Sequence, residues 1–402
     1  MTLRVMAFNI EEGGAGVDLG KVIEAIRLAD PDIVVLQEAM GNTARIAEAL
    51  GWGFASHRTQ VISPYPIVDP SDAGAPYQFV EVRPGRVVAV ASVHPPAEPY
   101  GPELVQAGGS PADVIALERR IRLPRLERPL AELSPMARSG TPVFLAGDFN
   151  APSHLDWTAA TVGLRPHVRA AIDWPVSRAI EAAGFRDTWR EIHPDPVAEP
   201  GLTWWADRPP TGRYEPGPDT PDDRIDIIYA AGPSVTTDCA IVGESGRADV
   251  AMGVAPWPSD HRAVVATFQA VPAPLPGRVG ATAARRSADV EHPRGPVRVD
   301  ISRAAYRVGE PIEVAWAGGP GYRWDWIAVF HAPAEELLDA YLIWEHTDAR
   351  VDGTVRLDGD SAVVDQSSIG GRWPLPPGDY EAAYLLDDSA ERLGRVAFTI
   401  VP

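Results

Sequence analysis

Through the first 270 residues, short apolar runs keep meeting an acid, an amide or an imidazole at one end. Asn9 follows VMAF, Glu38 follows IVVLQ, His94 follows VVAVASV, and Asp148 and Asn150 stand in VFLAGDFN. Asp226 opens DIIY, and Ser259-Asp260-His261 comes just before AVVA. Apolar runs this short, rich in Val and Ile and bounded by Gly, Pro and Asp, read as buried strands. Groups at the ends of strands can converge on one crevice although far apart in sequence. The chain must therefore fold into layers that bury the runs and collect their polar ends.

Helical spacing fills the gaps between the runs. Leu19, Val22, Ile23 and Ile26 follow one helical face, Asn42 is placed to cap a second helix that stops near Gly51, and Ala171–Ala183 suggests another. Ser110-Pro111 with Asp113 is a start signal for a long helix toward Met136. Strands and helices in alternation predict a two-sheet α/β sandwich over residues 1–270. Hairpin-like neighbours, Gln78–Val82 and Val87–His94, make its sheets mixed. Residues 271–296, rich in Pro, Ala, Gly and Arg without apolar period, read as a linker. Residues 297–402 carry short alternating runs such as PIEVAWAG, DWIAVFHA and DYEAAYLLD, predicting a smaller all-β sandwich. Its tryptophans, Trp316, Trp324, Trp326, Trp344 and Trp373, read as sandwich core rather than a carbohydrate surface.

Net charge is −19, from 36 basic and 55 acidic residues. Residues 1–270 hold 23 Lys and Arg against 35 Asp and Glu, a net −12. Such a balance disfavours gripping a phosphate backbone, although a local basic groove stays open. Lys21 is the only lysine and lies away from the acidic set, which disfavours Schiff-base chemistry. Cys239 is the only cysteine, so no intrachain disulfide forms. No apolar run is long enough to span a bilayer, and Thr2–Phe8 reads as a core strand rather than a signal peptide. A cytoplasmic location is the expectation.

Carboxylates and amides at strand ends suit hard cations such as magnesium. Glu38 is the best ligand candidate, because a carboxylate behind a buried run is costly unless it meets a cation or strong donors. Asn9 would add a neutral oxygen, with Glu11 and Glu12 nearby. His261 suits proton transfer near neutral pH, as a general base or as a group stabilising a phosphoryl oxygen. Together these residues point to metal-assisted hydrolysis of phosphate esters.

Residues 1–270 resemble the endonuclease/exonuclease/phosphatase superfamily, through Asn9 in the first strand, LQE at 36–38, GDFN at 147–150, RID at 224–226 and SDH at 259–261. Members include DNA repair nucleases, DNase I-like enzymes, inositol polyphosphate phosphatases and bacterial sphingomyelinases, so the resemblance constrains chemistry better than substrate. It implies that Asp226 orients His261, that Asp260 lies toward the metal, and that His94 contacts the phosphate. Asp148 would position the attacking water or protonate the leaving oxygen, and Asn150 would donate to phosphoryl oxygens. Thr203-Trp204 resembles a pair that precedes RID in this family, and Trp205 beside it suggests a stacking wall for substrate. The Pro-, Gly- and Asp-rich stretch 207–223 reads as a lid-like loop. The C-terminal region resembles immunoglobulin-like accessory domains. The leading expectation is a magnesium- or manganese-dependent phosphodiesterase or phosphatase, with calcium as an alternative cation, acting on a small or lipid-like phosphate ester. Its rivals are a DNA or RNA nuclease and a non-catalytic binding protein that uses the β-sandwich.

Overall fold

The computed structural model describes residues 1–402 apart from 15, 73–74, 212–214, 218, 278–296, 323, 334–340, 349, 360, 364–372 and 387–390. The larger of two compact units holds the described residues of 1–95 and 100–289; the smaller holds those of 96–99 and 290–402. Strands of the larger unit are β1 (Thr2–Asn9), β2 (Ile33–Gln37), β3 (Phe54–Ser56), β4 (Val61–Ser63), β5 (Ile67–Val68), β6 (Gln78–Arg83) and β7 (Arg86–Val93). After them come β8 (Val143–Asp148), β9 (Arg186–Asp187), β10 (Asp226–Ala231), β11 (Ser234–Glu244), β12 (Met252–Val254), β13 (Ala263–Ala270) and β14 (Ala273–Pro274). One sheet runs β12-β11-β13-β1-β2-β4-β3; the other runs β5-β6-β7-β8-β10-β9, with β14 paired to β7.

Alternation along the strands builds the layers. Leu3, Val5 and Ala7 of β1 face the second sheet and meet Val88, Val90, Phe144 and Ile228. Met6 and Phe8 turn the other way, onto Val22, Ala25 and Ile26 of α1 (Leu19–Ala29) and Ile46 of α2 (Thr43–Leu50). The remaining helices are α3 (Gly101–Gln106), α4 (Pro111–Ile121), α5 (Leu123–Arg138), α6 (Pro175–Ala182) and α7 (Thr188–Ile192). Ala89 and Ala91 of β7 face out onto Leu126 and Leu133 of α5 and Ile180 of α6. The unit is thus a two-sheet α/β sandwich, two sheets face to face with helices outside.

Three local expectations change. The long helix from Ser110 is two helices: Ser110 caps α4 with a reciprocal Asp113 bond, and α5 restarts with Pro124 in its first turn. Proline lacks the N–H that continuation would need and crowds the preceding residue out of helical geometry. The helix expected from Ala171 starts at Pro175. The sequence-defined linker also begins late, because Ala273-Pro274 pairs with β7 and Leu275 packs against the outer core; its remaining part, 278–296, lies outside the described residues.

The smaller unit, considered by itself, has β15 (Arg298–Ile301), β16 (Ala305–Arg307), β17 (Ile312–Ala317), β18 (Trp326–His331), β19 (Tyr341–His346), β20 (Gly353–Leu357), β21 (Ala362–Val363), β22 (Gly378–Leu385) and β23 (Arg392–Val401). A sheet β15-β17-β20 faces a sheet β16-β23-β22-β18-β19-β21 across Val314, Trp316, Ile327, Val329, Tyr380 and Phe398. Trp316, Trp324 and Trp326 are buried, whereas Trp344 and Trp373 are only partly so.

Candidate active site

Strand direction explains why the polar ends meet. β1 lies parallel to β2, and β7 parallel to β8, so each pair delivers its C-terminal residues to one end. β10 is antiparallel to β8 and starts there, with Asp226 directly opposite Asp148. β13 is antiparallel to β1, so His261, just before it, returns to Asn9. Ser259 Oγ ties the two ends by donating to the Asn9 carbonyl at 2.7 Å while accepting the His261 N–H at 3.0 Å. Gly147 permits the tightest approach. Its φ is +144°, and a Cβ there would lie 2.2 Å from the Val93 carbonyl, so only glycine lets β7 and β8 set His94 beside Asp148.

Asp226 Oδ2 lies 2.9 Å from His261 Nδ1. That bond turns Nε2 toward Asp148 Oδ2 at 3.7 Å and Asp260 Oδ1 at 3.9 Å. Thr203 Oγ1 accepts the N–H groups of Ile225 and Asp226, both at 3.0 Å, and so sets the start of β10. Burial disfavours the imidazolium, but Asp226, Asp260 and Asp148 outweigh it and push His261 up to about 10. Burial pushes Asp148 up as well; the His261 and His94 imidazoles and the Asn150 N–H overcome this and hold it below the usual carboxylate range. Burial dominates at Asp226, whose carboxyl is raised despite His261.

The remaining predicted residues gather around this pair. Asn9 Nδ2 donates to Glu38 Oε1 at 3.0 Å and to Asp148 Oδ2 at 3.1 Å. Its oxygen, expected to be a ligand atom, instead accepts the Glu11 N–H at 3.1 Å, because an amide between two carboxylates presents its donor side. Glu38 Oε2 accepts the Glu12 N–H at 3.0 Å. His94 Nε2 stands 3.5 Å from Asp148 Oδ2 and 3.9 Å from Glu38 Oε1. Asn150 donates its backbone N–H to Asp148 Oδ1 at 2.8 Å and its amide to the Pro95 carbonyl at 3.0 Å. Trp204 Nε1 donates to Asp260 Oδ2 at 3.3 Å, and its ring lies 6.3 Å from that of His261. Trp205 is partly exposed, and no described contact joins it to this group. Glu11, Glu12, Glu38 and Asn150 hold φ of 51°, 45°, 55° and 48°. Left-handed backbone at residues other than glycine costs about 1–2 kcal/mol each, and such strain gathers where side chains must be aimed.

Sequence reasoning passed over Arg208. It lies within the predicted lid-like stretch, part of which (212–214 and 218) falls outside the described residues. Its guanidinium takes both oxygens of Glu11 at 2.6 Å. Nothing local in DRPP marks it. Two further histidines are held by neighbours outside this group: His167 Nε2 lies 3.1 Å from buried Asp223, and His154 Nδ1 lies 2.9 Å from Ser177 Oγ.

Two donor sets can be tested for a metal. Among the described residues, Asp148, Asp226 and His261 have ligand atoms all within 4.8 Å of one another. His261 Nδ1 is committed to Asp226 there, which suits proton handling better than coordination. Glu38 and Asp260 offer hard oxygens beside it, and the crowding of carboxylates is marked. Burial and the charge of Asp260, with Glu38 adding to them, push Glu11 up to about 7 even against Arg208. An oxygen-rich, over-negative cluster fits a hard divalent cation.

Residues 6–261 match the model of the Endonuclease/Exonuclease/phosphatase family, and the chain belongs to that family. It is accordingly a metal-dependent phosphoesterase. A Caenorhabditis elegans relative, uncharacterized protein F14F9.5, is 30% identical over 292 residues, covering 66% of this chain and 91% of its own. Truncated Caenorhabditis elegans TDP2 is 18% identical in its crystal structure, with 67% of this chain and 98% of that one covered and a TM-score of 0.38. The Bacteroides thetaiotaomicron mannosyl-6-phosphatase Bt3783 is 14% identical, with 66% and 99% covered and a TM-score of 0.39. No helix among the described residues is long and apolar enough to cross a membrane.

Proposed function

We propose that this enzyme hydrolyses small or lipid-like phosphate esters with magnesium or manganese, calcium being the alternative cation. The observation that carries the reading is the 2.9 Å bond from Asp226 to His261 Nδ1, which aims Nε2 at the space beside Asp148 and Asp260. Glu38 and Asp260 would hold the cation, and Asn9 would join them by turning its amide away from the Glu11 N–H. Bound there, a divalent cation neutralises charge building on the phosphoryl oxygens and leaving oxygen. Asp148, held ionised, is suited to accept the proton of the attacking water. His261, favoured as the imidazolium, would donate to a phosphoryl oxygen. His94 contributes a second imidazole at the phosphate. Asn150 spends one amide hydrogen on Pro95 and keeps the other for a phosphoryl oxygen. Trp204 and Trp205 would line the side where the substrate's organic group lies.

The net −12 of residues 1–270 supports a small substrate over a polyanion. We also read the smaller unit as an immunoglobulin-like accessory domain with no part in the chemistry. A panel of bis-p-nitrophenyl phosphate, p-nitrophenyl phosphate, sphingomyelin and duplex DNA, each with magnesium, manganese, calcium or chelator, tests the assignment. Turnover of a small ester that needs the cation, disappears in Glu38→Ala and varies little with salt is the expected result. Full activity in chelator removes the metal reading. Fast, strongly salt-dependent cleavage of DNA replaces the substrate with nucleic acid.

A further inference from the structure

Arg208 is the feature of this site that metal-assisted hydrolysis leaves unused. Its side chain has 0% exposure, and its Nε and Nη2 meet Oε2 and Oε1 of Glu11 in a two-pronged pair, each at 2.6 Å. Nη1 reaches the Pro209 carbonyl and Glu215, both at 3.2 Å, so the fork is fixed from behind as well. Glu11 in turn accepts the Asp260 N–H on Oε2 at 3.0 Å, and the Ala206 N–H holds the Asp260 carbonyl at 2.6 Å. One continuous set of bonds therefore runs from Arg208 through Glu11 to the main chain of Asp260. Both Glu11 oxygens are spent on it.

We propose that Arg208 is a resident cation of the metal site that occupies Glu11 and keeps its carboxylate out of the coordination shell. Arginine suits the task because its charge is permanent and its planar fork matches a carboxylate. A cation already seated on Glu11 also lowers the attraction of the cluster for a divalent ion.

Titration of the full-length protein with manganese alone, followed by calorimetry, tests this without relying on turnover. Arg208→Met removes the resident charge and frees the Glu11 carboxylate for the ion, and should tighten manganese binding by roughly tenfold. Arg208→Lys keeps the charge and should stay within about threefold of wild type. Glu11→Gln leaves Arg208 without its counter-charge and should weaken binding by roughly tenfold. Combining Glu11→Gln with Arg208→Met should bring affinity back near wild type, the non-additivity expected of coupled groups. Thermal melting establishes that each variant is folded; if Arg208→Met is not, the Glu11→Gln and Arg208→Lys values still decide. Equal manganese affinity across the folded variants, or weaker binding in folded Arg208→Met, overturns the proposal. It rests on Glu38 and Asp260 as ligands, and wild-type protein that binds no manganese would remove that reading together with this one. Equal binding by all variants would remove this one alone.

Discussion

Both units are sheets packed on sheets, but they bury charge differently. In the larger unit, arginines sit inside with paired carboxylates. Arg224 is clamped between Asp156 and Asp187 at 2.7–3.0 Å, Arg262 is paired with Glu244, and Arg208 with Glu11. Each clamp adjoins a residue of the site: Arg224 precedes Ile225-Asp226, Arg262 follows His261, and Glu11 follows Asn9 by two positions. In the smaller unit the deepest carboxylate, Asp325, has the Tyr384 hydroxyl at 2.6 Å and the Tyr322 N–H at 2.9 Å among its partners. Strand interiors are held in register by apolar packing and ladder bonds, but strand ends that must present polar groups give up the apolar packing at those positions. Buried arginine forks hold the backbone there.

Arg224→Met should separate the two kinds of burial most sharply. Removing one partner of a buried pair leaves uncompensated charge, here two carboxylates, and should cost about 3–5 kcal/mol in a urea titration. A loss below about 1 kcal/mol would mean that the clamp does not hold the strand end. His261→Ala should act on rate instead. We expect kcat to fall by about a hundredfold or more, near 2.7 kcal/mol of barrier, with a smaller change in unfolding midpoint than Arg224→Met. Near-normal turnover would end its assignment. Tyr384→Phe deprives Asp325 of one donor and should destabilise by about 1–3 kcal/mol while leaving kcat/KM unchanged. A loss of turnover would break the division of labour drawn between the units. Least change is expected at Cys239. Burial pushes its thiol up to about 12, so the folded protein at pH 8 should resist alkylation and react only on unfolding. Rapid labelling of the native protein would show that this core opens readily.

Much of the site was legible because its signals are local. A polar residue that ends an apolar run is visible without knowing the partner strand, and this located Asn9, Glu38, His94, Asp148, Asp226 and His261. Helix ends carried local signals too; Asn42 does precede α2, though its amide reaches the Gly13 carbonyl rather than capping the helix. Where several signals competed, the reading slipped. Pro124 divides a stretch whose apolar period continues across it. β11 escaped because half-polar SVTTDC opens it, as befits a strand whose outward positions are exposed. The Glu11–Arg208 pair spans 197 residues, and nothing near either residue refers to the other.

By itself the sequence determined the strands that carry the candidate site, which of their ends carry donors and acids, and therefore the chemical class of the protein. It did so because alternation and burial are properties of neighbouring residues. Only the tertiary structure decided that Asp148 stands across a ladder from Asp226, that Asn9 turns its nitrogen rather than its oxygen toward the acids, and that Arg208 closes on Glu11. Those outcomes depend on strand direction, register and the demand that every buried charge find a partner, and such demands are met across the fold rather than along the chain.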